Sequence, residues 1–413
     1  MSVLLYQIAL YLYRIAAQFV AITNDKARLF ITGRKQLLEH VANSLQKENR
    51  PRIWLHAASL GEYEQAVPLL QALRLTYPNH AFIVTFFSPS GYVPIANKGE
   101  NDYVFYLPFD HKKNSLLFIN LIRPEAVFFI KYESWYYYLD YLKKLAIPTY
   151  LVSAIFNKNQ LVFKWYGAIF RHMLNCYTHI MVQDDHSKIL LNKQSIMHVS
   201  VVGDTRFDRV VDHALCTPSL VEVEAFKGSS QLFVAGSTWL RDERILAQLQ
   251  KKISPVWKLI IVPHEVNTDH IFQLKKIFPS ALLWTDKNKL DGDILIIDKI
   301  GILNNIYASA DMAWVGGGFD RDGVHNVIEP AVRAIPVLFG PVYKAYREAN
   351  LLIEHKLATS CESLEEILSA IRYYEMEYPS RVFKQKSTIF FEQEKGATAR
   401  ITSLIALKPY PLL

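Results

Sequence analysis

The sequence predicts an α/β chain of two doubly wound, Rossmann-like domains. Three observations predict it. The chain has 413 residues, too many for one hydrophobic core and enough for two domains. Short apolar runs alternate with helical patterns in both halves, the mark of βαβ units and parallel sheets. Glycine and hydroxyl residues cluster where those runs end, which is where such sheets bind ligands.

The first element is the apolar run from Val3 to Ile22, VLLYQIALYLYRIAAQFVAI, about one bilayer thickness if helical. Its single charge is Arg14, and neither a basic start nor a small-residue cleavage site marks a signal peptide. Lys26, Arg28, Arg34 and Lys35 follow, and the positive-inside rule keeps them, and the chain beyond, on the cytoplasmic side. Gln7, Arg14, Gln18 and three tyrosines in the run favour a helix lying in the membrane interface over one that spans. An ordinary buried helix is the other reading.

The strand candidates of the first half are Ile53–Ala57, Ala81–Phe87, Ala126–Ile130, Pro148–Val152 and His179–Val182, with a helix from Gly61 to about Tyr77. Those of the second half are Leu232–Ala235, Lys258–Val262, Ala281–Trp284, Asp293–Ile297, Met312–Val315 and Pro336–Phe339. The polar stretch Asp208–Val221 separates the halves, and a helix is expected over about 385–405. The predicted organisation is a membrane-associated helix and basic flank (1–35), a first domain (36–212), a second (213–390) and a C-terminal segment (391–413) that crosses back to the first.

The formal charge of +7 favours anionic partners, yet the basic residues are dispersed and track no nucleic-acid strand. Cys176, Cys216 and Cys361 are far apart, which argues against a disulfide framework and a structural zinc site and fits a reducing compartment.

Four motifs lie at expected strand ends. His56-Ala57-Ala58-Ser59-Leu60-Gly61-Glu62 opens a helix, so Glu62 either takes a proton from a substrate hydroxyl or closes a Ser-x-x-Glu capping box. Ser363-x-x-Glu366 has the same spacing and reads as structural. Gly316-Gly317-Gly318 lets backbone N–H groups approach an anion. It leads to His325-Asn326-Val327-Ile328-Glu329, where a helix start adds its dipole and Glu329 suits ribose hydroxyls; a plain tight turn is the alternative. Ser237-Thr238 after LFVAG either holds a phosphate or caps a helix. Glu133, in Lys131-Tyr132-Glu133-Ser134-Trp135, is either catalytic or paired with a basic neighbour. His172, His179 and His270 lack metal-ligand spacing, and with no suitable Asp-x-Asp the chemistry is expected to be metal-independent and free of cofactors.

In this order the motifs resemble the Kdo transferase family, GT-B glycosyltransferases of lipopolysaccharide core assembly. HAASLGE is similar to the family's His-x-x-Ser-x-Gly-Glu, whose glutamate is the general base, a role that carries to Glu62. Ser88, Ser90 and Gly91 in TFFSPSG, the Leu-Pro-Phe-Asp ending at Asp110, Glu133 with Trp135, and Gly203, Phe207 and Asp208 in GDTRFD also match. So do Ser237-Thr238 and GGGFDRDGVHNVIEP. The sequence departs at Trp239, where the family has His; at His264, where a phosphate-contacting Arg is usual; at Ile302, where the family has Glu; and at Ala345, where it has Asn.

The resemblance implies a GT-B fold of two Rossmann-like domains with a cleft between them. It implies transfer of Kdo from CMP-Kdo to a phosphorylated lipid A precursor, with inversion, at the cytoplasmic face of the inner membrane. It puts Ser59, Gly61, Ser88, Ser90, Gly91 and Glu133 on the acceptor side. Ser237, Thr238, His264, Gly316, Gly317, Gly318, His325, Asn326 and Glu329 go to the donor. Nucleic acid is not an expected partner, membrane lipid is. The rival readings are another GT-B nucleotide-sugar transferase or epimerase, or a non-catalytic membrane-bound relative. A dinucleotide oxidoreductase lacks its Gly-x-Gly-x-x-Gly here.

Overall fold

The computed structural model describes residues 3–286, 291–377 and 381–407, so residues 408–413 of the expected C-terminal segment lie outside it. The chain divides into two compact units, Met1–Arg209 with Lys395–Leu413, and Val210–Glu394. The division falls inside the helix Thr205–Cys216.

The first unit holds β1 (Arg52–Ala57), β2 (Ala81–Phe86), β3 (Tyr103–Tyr106), β4 (Pro124–Ile130), β5 (Thr149–Ala154), β6 (His179–Val182) and β7 (Val199–Val201). They form one 7-stranded sheet in the order β3-β2-β1-β4-β5-β6-β7, every pair parallel. The winding starts at β1, runs out to β3, and restarts at β4 on the other side of β1. Strand order therefore reverses between β1 and β4. Trp54, Ile83, Val127 and Phe129 enter one core while Ile53, Leu55, Phe82 and Phe128 enter another. That alternation is the two-residue period of a strand covered on both faces.

The second unit repeats the plan with β8 (Gln231–Thr238), β9 (Trp257–Pro263), β10 (Leu282–Leu283), β11 (Ile294–Ile296), β12 (Met312–Val315), β13 (Val337–Phe339) and β14 (Ala358–Ser360). Its order, β10-β11-β9-β8-β12-β13-β14, reverses between β8 and β12. The two-sheet α/β architecture is the one expected.

Details differ. β3, β7 and β14 have no counterpart among the strand candidates. Gly236, Ser237 and Thr238 belong to β8 and do not form a turn after it. The helix expected over 385–405 is two, Arg381–Glu394 and Ala397–Thr402, parted by Gly396 in a left-handed conformation (φ 92°) that glycine adopts without a Cβ clash.

At the N-terminus the helix Val3–Val20 is long and apolar enough to cross a membrane by length and composition. One side of it is fastened to the first unit. Tyr6 donates to the buried Asp110 at 2.6 Å, and Gln7 donates to the Tyr137 hydroxyl. Asp110 also accepts from Ser115 and from the backbone N–H groups of Tyr137 and Tyr138. The other side exposes Leu4, Leu5, Ile8, Leu12 and Phe19.

Arg34, expected on the basic flank, is instead interior. It donates to the carbonyls of Phe30, Phe87 and Leu107 and lies within 4.2–5.0 Å of the rings of Phe30, Phe87, Tyr106 and Phe109. Burial pushes its guanidinium down to about 10. At the other end of the chain, Asp208 accepts from the N–H groups of Gly396 and Thr398 at 2.5 and 2.7 Å. Tyr150 exchanges two hydrogen bonds with the backbone of Ala406. These bonds bind the last segment to the first sheet.

Candidate functional site

Each sheet gathers its candidate residues at the reversal of strand order, the position where doubly wound sheets bind ligands. In the first unit Glu62 follows β1 and Glu133 follows β4, so the two carboxylates flank the reversal. Glu62 sits in the first turn of the helix Leu60–Thr76, and its Oε2 accepts the Ala58 N–H at 2.6 Å. Ser59 occupies the cap position but its side chain makes no cap bond. Of the capping box, only the glutamate's reach back to the turn is made. Burial raises the Glu62 carboxyl above the usual range, and the charge of Glu133 raises it further; the Ala58 bond, His56 and Lys131 pull the other way.

Glu133 is buried, and its Oε2 accepts the indole N–H of Trp135. His56 Nε2 lies 3.2 Å from that oxygen, off the angle of a hydrogen bond. His56 Nδ1 is 2.8 Å from Thr85 Oγ1, which also accepts the Trp54 indole N–H at 2.8 Å. Having accepted from the indole, Thr85 can give its own proton to Nδ1, which puts the ring proton on Nε2, on the Glu133 side of the ring. Tyr177 holds the Glu133 carbonyl from behind at 2.8 Å. The basic side chain closest to the Glu133 carboxylate is thus His56, at the end of β1 and not a neighbour in sequence.

The remaining acceptor-side residues divide. A Cβ on Gly61 would meet nothing within 4 Å, so this glycine is exposed and no close packing requires it. Ser88 caps the helix Pro89–Ala96, accepting from Ser90 N–H at 3.3 Å, and the two hydroxyls are 2.8 Å apart. Gly91 is a packing glycine: a Cβ there would lie 2.3 Å from the Phe86 ring and 3.1 Å from Leu60 N.

In the second unit the reversal lies between the ends of β8 and β12, and Ser237, Thr238 and the glycine triplet meet there. Gly316 N–H bonds Gly236 O at 2.9 Å, and Gly317 N–H bonds Asp242 at 3.1 Å. Both amides are therefore occupied within the protein. Asp242 also accepts from Trp239 N–H and the Trp314 indole. A Cβ on Gly318 would lie 2.5 Å from Gly340 N, so this glycine permits two loops to touch. Thr238 donates to the buried Glu243 at 3.0 Å, and His270 lies 2.8 Å from the same carboxylate oxygen. Asp242 and Glu243 support the loop and were not singled out from sequence. Their signal is a pair of acids in the first turn of the helix Leu240–Gln250, directly after a strand.

His264, His325 and Trp239 form a stack. Ring centroids are 4.4 Å apart for the two histidines and 4.8 Å for Trp239 on His264. The Trp239 indole N–H donates to His325 Nε2 at 2.8 Å, so that nitrogen is an acceptor and carries no proton. Burial, followed by the neighbouring His264, pushes His325 down to about 4. Two departures from the family pattern, Trp239 and His264, thus pack as one unit with a matching residue. Asn326 accepts the Ile328 N–H and donates to Glu329 at 2.9 Å, which fixes the glutamate. The helix there, Ile328–Ala331, has 4 residues, too short for the dipole contribution expected from sequence.

Residues 33–209 match the model of the family described as 3-deoxy-D-manno-octulosonic-acid transferase (kdotransferase). The chain is 26% identical over 350 residues to the 3-deoxy-D-manno-octulosonic acid transferase of Aquifex aeolicus, covering 82% of this chain and 92% of that protein. It is 24% identical to the enzyme of that name from Haemophilus influenzae, covering 87% of each. Among solved structures, the UDP-GlcNAc 2-epimerase of Neisseria meningitidis bound to UDP-GlcNAc superposes with a TM-score of 0.60 at 13% identity, over 86% of this chain and 99% of that one. That likeness concerns the fold.

Proposed function

We propose, from the premise that this chain is a relative of the Kdo transferase family, that it moves 3-deoxy-D-manno-octulosonic acid from CMP-Kdo to a phosphorylated, acylated lipid A precursor. The observation that carries the reading is Glu62. It is a partly buried carboxylate in the first helical turn after β1, at a strand-order reversal, and burial and a second carboxylate raise its pKa. A raised carboxylate is the stronger base once ionised. It takes the proton of the acceptor hydroxyl as that oxygen attacks the anomeric carbon. The bond to the CMP phosphate breaks with its electron pair, and one-step attack inverts the centre without a metal ion.

In this reading the second unit holds the donor. Glu329, positioned by Asn326, takes the ribose hydroxyls. Ser237, Thr238 and the ring stack of His264 and His325 take the base and phosphate side. With Gly316 and Gly317 amides engaged inside the loop, the triplet's part is to bring β8 and β12 close together. Glu329→Ala is expected to weaken CMP binding about tenfold in calorimetry, the worth of one charge-assisted hydrogen bond; unchanged affinity moves the nucleotide elsewhere. The helix Val3–Val20 keeps the enzyme at the cytoplasmic face of the inner membrane, its free apolar side in the interface.

The direct test is incubation with CMP-Kdo, generated in situ, and a lipid A precursor, with mass spectrometry of the lipid. A gain of Kdo on the lipid is expected. Turnover of UDP-sugars with none of CMP-Kdo would replace this reading by a UDP-sugar transferase or epimerase.

A further inference from the structure

A cavity of about 310 Å³ opens in the first unit on the turn that follows β4. Lys131 and Glu133 line it, and these are two of the charges that act on Glu62. Its far wall is mostly apolar, with Leu151, Phe156, Leu161, Val162, Phe170 and Leu174 beside Asn159 and Gln160. The segment that forms this wall carries an unusual exterior. Trp165 is 91% exposed, Leu161 and Tyr166 are exposed as well, and Lys158 and Lys164 lie between and beside them. Exposed tryptophan and tyrosine mixed with lysine suits the head-group zone of a lipid surface, where the ring is half apolar and the ammonium meets phosphate.

The neighbourhood continues toward the N-terminal helix. Tyr136 packs on Tyr6 of that helix at 6.0 Å and on His172 at 5.5 Å. His172 belongs to the helix Ala168–Leu174, which supplies Phe170 and Leu174 to the cavity. One tyrosine thus links the apolar N-terminal helix to the cavity wall.

We propose that this cavity receives one hydrocarbon chain of the glycolipid acceptor whose hydroxyl Glu62 deprotonates. The inference rests on the transferase reading and deepens it. The cavity is at the small end of ligand pockets, roughly 300–1,000 Å³, which suits a single chain and not a whole glycolipid. Apolar walls behind a charged turn match a ligand with a polar head at Glu62 and a tail beyond it. The lysines of the outer segment match the anionic head groups of the surrounding lipid surface.

The test compares transfer to an acylated, phosphorylated disaccharide with transfer to its fully deacylated form, both in mixed micelles, for the wild type and for Leu161→Asp. Leu161 is 46% exposed, so the substitution spares the core. Wild type is expected to favour the acylated acceptor in KM by about tenfold or more, the worth of burying roughly two methylenes. Leu161→Asp is expected to lose that preference, its KM for the acylated acceptor rising to about that for the deacylated one. Equal KM values for the two acceptors in wild type, or an unchanged preference in Leu161→Asp, overturn the cavity assignment and leave the transferase standing. An equal loss by Leu161→Asp of binding to acceptor-free anionic vesicles makes the segment a bilayer contact and overturns it too. No transfer to either acceptor brings down the transferase reading, and the cavity's role with it.

Discussion

At the start of the helix Leu364–Glu377, Glu366 accepts the Glu362 N–H at 2.8 Å and Ser363 Oγ accepts the Glu366 N–H at 3.3 Å. At the start of the helix Leu60–Thr76, Glu62 makes the same reach back, to Ala58, but Ser59 makes no cap bond. Both sites read Ser-x-x-Glu. The first completes its box in solvent, and Glu366 is exposed. The second is half a box, and its carboxylate is partly buried and feels the charge of a second, buried carboxylate. The four-residue spacing sets only the local bond. What lies across the neighbouring strand sets the surroundings of the glutamate, and these differ between the two sites.

The strongest way to break this comparison is to neutralise both glutamates. Glu62→Gln is expected to cut transfer by about 10²–10⁴-fold, the usual worth of a general base, while leaving donor affinity intact. Glu366→Gln is expected to leave the rate unchanged. Near-wild-type transfer by Glu62→Gln would remove its role as base.

Next comes the coupling. Glu62 must be ionised to act, so activity rises as pH climbs through its raised pKa. Glu133→Gln removes a like charge and is expected to move that acid limb to lower pH. A limb that stays in place uncouples the two carboxylates.

The same raised pKa bears on stability. A carboxyl whose pKa is higher folded than unfolded contributes stability below its unfolded value, and loses it as pH rises through the folded one. Glu62→Gln escapes that loss. Its Tm relative to wild type should therefore climb from pH 4 upward, read by thermal melts across pH, and a flat difference argues against the burial cost.

The smallest effect separates the serines. Ser363→Ala should cost about 1 kcal/mol of stability in denaturant melts, the value of an N-cap. Ser59→Ala should cost less, because no cap bond is lost there.

Much of the fold was legible because central parallel strands are buried on both faces and read as unbroken apolar runs. β2 and β5 bury every residue. The strands that escaped notice are short and lie at or next to sheet edges: β3, β7 and β14, with Tyr103, Ser200 and Thr359 among them. A three- or four-residue edge strand has no periodicity to detect. In the site, Glu62 and Glu133 were visible one at a time, as acids at strand ends. The effect of Glu133 on Glu62, and the His56–Thr85–Trp54 chain behind them, depend on the strand order β2-β1-β4, which no local spacing encodes. Asp242 was illegible for a related reason. An acid in a first helical turn is common, and only the fold delivers the Gly317 amide to it.

The clasp of Asp208 on Gly396 and Thr398 also has a bearing on biosynthesis. A ribosome makes residues 395–407 only after all of the second unit, yet they pack on the sheet made first. The first unit must wait, nearly complete but unsealed, while the second emerges and folds. A product shortened before residue 395 would leave the core face that Ile401 covers exposed to solvent.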